Sequence, residues 1–134
     1  MPQLSCNIGA PFSANGMYVP VGLGQMVKSK KYRKWLDLVV PQFKEQLRPA
    51  ERFPIRIEIL IVGGREWTEY NDIDNTCKPI CDALVLAGII PDDRSKFVES
   101  VFPRILPGSR RGETVTRISY EEPEVETSSW GEVD

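Results

Sequence analysis

At 134 residues the chain has room for one compact core and too little for two ordinary domains, which run to about 100–150 residues each. Its composition, 41% hydrophobic and 27% charged, excludes a disordered or membrane-embedded protein, and no apolar stretch approaches the roughly 18 residues that span a bilayer. The formal net charge of −2 argues against a polyanionic partner only until it is located: residues 121–134 hold six acidic and no basic side chains, so residues 1–120 carry 17 basic against 13 acidic groups.

The N-terminal run MPQLSCNIGAPFSANG lacks the basic start and apolar region of a secretion signal, so the expected location is the cytosol, with no membrane partner. Residues 4–9 suit a short strand. A loop punctuated by Pro11, Asn15, Gly16, Pro20, Gly22 and Gly24 follows, and connections of that length in small domains tend to be functional. From Lys30 to Leu47 the apolar residues Tyr32, Trp35, Leu36, Val39, Val40, Phe43 and Leu47 recur at helical spacing, with Pro41 a point of kinking or breakage. Residues 54–62, PIRIEILIV, put Ile55, Ile57, Ile59 and Ile61 on one side, which is the period of a strand. After the polar segment Gly63–Asn71, residues 75–87 read as a second helix, with Asp74 or Asn75 as N-cap and Gly88 as its stop. Residues 96–102 and 114–120 read as two closing strands joined around a turn at 107–112. The expected fold is therefore a single α+β domain with a mixed sheet and two helices in the order β-α-β-α-β-β. Its bounds are 1–122, and an acidic tail whose composition predicts disorder covers 123–134.

The chemistry is narrowed by what the chain lacks. Without histidine, Ser–His and Cys–His schemes are excluded, so catalysis must use carboxylates, lysine or metal. Three cysteines with no CxxC pair predict buried free thiols in place of a disulfide framework or a zinc site. The informative stretch is residues 71–93, NDIDNTCKPICDALVLAGIIPDD, with five aspartates. Asp72 and Asp74 project to one side if the chain there is extended, and on a helix Asp74, Lys78 and Asp82 fall on one stripe opposite Ile80, Ala83, Leu84 and Ala87. The turn at Gly88 returns Asp92 and Asp93 toward the start of that helix. Crowded carboxylates repel one another and need a cation, and an oxygen-only donor set suits Mg²⁺ or Mn²⁺. Such an ion activates water against a phosphodiester, with Lys78 placed to contact the phosphate. Read piece by piece, the same residues are a cap, a solvated i,i+4 pair and a turn.

The order D-x-D-N-x-x-K-x-x-x-D-A-L-x-x-A-G-I-I-x-D-D from Asp72 to Asp93, with Pro11, Ser13, Asn15 and Tyr18 upstream, resembles the RusA family of Holliday junction resolvases over about residues 8–105. That resemblance implies metal-binding and catalytic roles for Asp72, Asp74 and Asp93, and a catalytic role for Lys78 beside the scissile phosphate. It implies supporting roles for Asn75, Asp82 and Asp92, with Asn15 and Tyr18 on the DNA side. It also implies a homodimer that nicks a four-way junction on two strands. One departure stands out: where members of the family can be basic, this chain has Glu66, Trp67, Thr68, Glu69 and Tyr70, which cannot neutralise phosphates. DNA contacts are therefore expected from the run Lys28, Lys30, Lys31, Arg33 and Lys34, the alternative being a solvated helix end, with Trp67 and Tyr70 as candidates for stacking on unpaired bases and packing the alternative for Trp67. The rival reading is a branched-DNA-binding accessory protein without turnover. A phosphatase for small molecules is disfavoured, since no phosphate-cradling GxxxxGK[ST] loop is present.

Overall fold

The computed structural model describes residues 4–64, 73–107 and 112–124. A four-stranded sheet has the order β1(Ser5–Ile8), β6(Val115–Glu121), β4(Ile55–Gly63), β5(Val98–Pro107). It is mixed: β4 pairs parallel with β5 and antiparallel with β6, and β1 pairs antiparallel with β6. Helices α1(Lys30–Gln46) and α2(Cys77–Leu86) complete the expected α+β class. The two last strands do not pair with each other, because β4 lies between them.

The alternation of β4 fixes its register. Ile55, Ile57, Ile59 and Ile61 are all buried, whereas Arg56 and Glu58 are exposed on the other face. Burying an Ile side chain stabilises by about 1.5–3 kcal/mol, so a one-residue slip would forfeit an amount comparable to the whole stability of a small domain. Tyr32, Leu36, Val39 and Phe43 of α1 and Ile80, Cys81, Ala83 and Leu84 of α2 join these isoleucines, Ile118 and Tyr120 in one core. Pro41 does not break α1; it sits on the exposed face, where the carbonyl it leaves unpaired can meet water.

Two local expectations change. Residues 11–28 are not one long loop: a 3₁₀ turn, Ala14–Gly16, leads into a hairpin of β2(Tyr18–Gly22) and β3(Gln25–Lys28). Gly22, Leu23 and Gly24 all have positive φ at its tip, which explains the glycines that had suggested a loop. The second helix begins as a 3₁₀ turn, Ile73–Thr76, so neither Asp74 nor Asn75 is its N-cap; Thr76 takes that position without a side-chain capping bond. Its end is as expected: Gly88 has φ +77°, and the N–H groups of Gly88 and Ile89 donate to the carbonyls of Val85 and Leu84.

Part of the acidic C-terminal segment is structural. Glu121 pairs with Arg56 at 2.9 Å. The Glu122 side chain, 4% exposed, pairs with Arg48 and accepts the backbone N–H groups of Glu51 and Arg52 at 3.0 and 2.7 Å. Burial alone would raise its pKa, but the Arg52 and Glu51 amides and the Arg48 guanidinium outweigh that and hold it below the ordinary carboxylate range. A depressed folded pKa stabilises at pH above the unfolded value of about 4.3 and is lost as pH falls through the folded value. Glu122→Gln is therefore expected to lower the melting temperature at pH 7, with the gap to wild type closing below about pH 4. A constant gap from pH 7 to pH 3 in thermal melts would contradict this.

Candidate active site

The acidic motif is laid out around α2. Asp74 is exposed in the 3₁₀ turn that precedes it, and Asn75 beside it is half-buried. Lys78 stands in the first turn of the helix and Asp82 one turn further on. The reversal at Gly88 returns the chain along the helix, so that Asp93 Oδ2 lies 2.7 Å from Lys78 Nζ. Lys78 Nζ is also 3.1 Å from Asp82 Oδ1. Lys78 thus bridges two carboxylates eleven residues apart in sequence. Asp92 holds that return turn in shape: its Oδ1 accepts the backbone N–H of Asp93 at 2.7 Å, and its Oδ2 pairs with Arg94 at 2.8 Å.

Electrostatics follow from these contacts. The Asp93 hydrogen bond, with support from Asp82, holds the Lys78 ammonium above its ordinary pKa, and Lys78 in turn holds Asp93 below the usual carboxylate range. Cys77 and Cys81 line the same helix. Burial, assisted by the charge of Asp74 on Cys77 and of Asp93 on Cys81, pushes both thiols up, Cys81 to about 12. They remain protonated at neutral pH, as does buried Cys6. All three are free thiols; Cys6 and Cys81 are buried as expected, whereas Cys77 is half-buried.

The donors open to a cation at this site are therefore carboxylate oxygens, since the neighbouring sulfurs are protonated. Such a set fits a hard divalent ion, not a thiophilic one. Asp74 and Asp93 are two of the three expected ligands. Asp72 lies outside the described residues, as do Trp67 and Tyr70. Among the described residues no three acidic or cysteine side chains gather into a metal site.

The upstream element meets the motif in space. The Ala14–Gly16 turn packs against both the Ile73–Thr76 turn and α2, which places Asn15 and the start of β2 with Tyr18 near the acidic cluster. Asn15 and Tyr18 are exposed there. The basic run begins at the end of β3 with Lys28, half-buried, and continues into the first turn of α1 with Lys30, Lys31, Arg33 and Lys34, all exposed. None of the five forms an ion pair among the described residues, and Lys28 Nζ lies 6.0 Å from the centroid of the Tyr32 ring.

Tyr32 is the site residue that sequence reasoning missed. Its spacing marks it only as one of the apolar residues of a helix; it is fully buried, and its hydroxyl donates to Asp82 Oδ2 at 3.0 Å. Burial first, then the charge and hydrogen bond of Asp82 and the proximity of Tyr18, push its phenol well above the ordinary value. The available signal was chemical: a tyrosine on an apolar helix face brings a hydroxyl that must find an acceptor.

No helix among the described residues is long and apolar enough to cross a membrane. No curated protein matches the chain. The family described as Endodeoxyribonuclease RusA matches residues 9–118.

Proposed function

Because the chain belongs to the RusA endodeoxyribonuclease family, we propose that it is a divalent-metal-dependent nuclease that resolves four-way DNA junctions by paired nicks. The observation that carries this reading is Lys78, held between Asp93 and Asp82 within the matched span. Asp72, Asp74 and Asp93 are the residues that would hold Mg²⁺ or Mn²⁺. When bound, such an ion supplies a water of lowered pKa and neutralises charge on the phosphate.

The chain's own groups have separable roles. Lys78 stays protonated through neutral pH, so it serves as a hydrogen-bond donor to a phosphate oxygen and not as a general base. Asp92 sets the turn that delivers Asp93, and Asp82 holds the second side of Lys78. Lys28, Lys30, Lys31, Arg33 and Lys34, with Asn15 and Tyr18, form the surface along which the phosphate backbone reaches the site. Cutting two strands of a two-fold junction in one event requires two such sites, hence a homodimer. The cytosol is its place of action.

The test is cleavage of an end-labelled synthetic four-way junction with and without Mg²⁺. Symmetric, ligatable nicks on opposing strands are expected only with the ion, from a protein that sediments as a dimer. Tight junction binding with no cleavage under Mg²⁺ or Mn²⁺ would leave an accessory binding protein. Equal cleavage of linear duplex would remove junction specificity.

A further inference from the structure

We propose that Tyr32 is a positioning residue for this reaction, fixing Lys78 through Asp82. The inference rests on the nuclease reading and extends it to a residue outside the acidic motif.

The contacts form a line from core to site. Tyr32 Oη donates to Asp82 Oδ2 at 3.0 Å, Asp82 Oδ1 lies 3.1 Å from Lys78 Nζ, and Lys78 Nζ lies 2.7 Å from Asp93 Oδ2. The outer members of that line are soft. The Lys78 side chain is 55% exposed and that of Asp82 22%, so by themselves they are an i,i+4 pair of the kind that contributes little and exchanges readily with water. A lysine also has four rotatable bonds to order before its ammonium holds one place.

Tyr32 supplies the fixed point. It is fully buried, with Phe12 at 5.2 Å and Trp35 at 6.1 Å between ring centroids. Its backbone N–H donates to the N-capping Ser29 Oγ at 3.1 Å, and that hydroxyl donates to the Gly16 carbonyl at 2.6 Å. Ring, backbone and the preceding turn therefore all constrain where the phenol oxygen sits. A phenol O–H can satisfy only one strong acceptor at a time, and here it is spent on one oxygen of Asp82, leaving the other aimed at Lys78. Asp82 is thereby held by a rigid donor on one side and holds a flexible one on the other.

Tyr32→Phe keeps the ring and removes only the hydroxyl. Single-turnover cleavage of the four-way junction is expected to slow about tenfold or more, as for displaced reacting groups, while junction affinity changes less than about twofold. The melting temperature is expected to stay close to that of wild type. Asp82→Asn should reproduce the rate loss, and the double variant should be no slower than the slower single one, because the two changes break one line. A direct readout comes from the ¹⁵N signal of the Lys78 ammonium, expected to be sharp in wild type and broadened by exchange in Tyr32→Phe.

Wild-type cleavage by Tyr32→Phe, an unchanged Lys78 signal, or multiplicative losses in the double variant would each overturn the proposal. If the wild-type protein cleaves no junction, yet its Lys78 signal still depends on Tyr32, the nuclease reading fails and the positional link stands.

Discussion

Asp74→Asn is expected to reduce junction cleavage by on the order of 10²–10³-fold or more while leaving junction binding intact. The substitution keeps size and shape and removes one negative charge. If that charge helps to hold a divalent ion, the loss falls on the chemical step. If binding rests on the cations of Lys28 and the first turn of α1, as proposed, affinity measured without divalent ions should be unchanged or slightly higher. Asp72→Asn and Asp93→Asn are expected to behave alike, although Asp93→Asn also weakens the partner of Lys78. Single-turnover rates with Mg²⁺ and gel shifts without it separate the two quantities. Full activity in Asp74→Asn would remove Asp74 from the site.

Gly64→Ala should be the most destabilising small change outside the core. A Cβ there would stand 2.4 Å from the backbone carbon of Glu113 and 2.5 Å from Gly112 O and Thr114 N, and these are backbone atoms that cannot swing aside. The Gly64 N–H also donates to Thr114 Oγ1 at 3.0 Å, so the two segments are tied where they touch. Overpacking of this kind costs about 2–3 kcal/mol, which for a domain of this size lowers the melting temperature by roughly 10 °C. A variant that melts with wild type would show that this close approach relaxes freely.

What was legible in the sequence followed the strength of the local pattern. Four isoleucines at period two, and seven apolar residues at helical spacing, identified β4 and α1 because burial on one face leaves that trace directly. The return of Asp93 to Lys78 was foreshadowed by Gly88, whose positive φ is a local requirement. The β2–β3 hairpin was hidden because Pro20, Gly22 and Gly24 read as loop and every residue from Tyr18 to Met26 that it presents is open to solvent, so no buried face marks it. The separation of β5 from β6 by β4 is a matter of sheet order, which no local periodicity encodes. The bond from Tyr32 to Asp82 spans fifty positions. The apolar pattern that includes Tyr32 gave no sign of what its hydroxyl would meet.

The pairing of β1 with β6 has a bearing on how the protein is made. Ser5 to Ile8 are synthesised long before Val115–Glu121, which among the described residues is their hydrogen-bonded neighbour in the sheet. Until that strand emerges, β1 has no seat and β4 has an empty edge. A chain that stopped before Val115 could not close its sheet, so a fragment bearing the full acidic motif should be cleared by proteases.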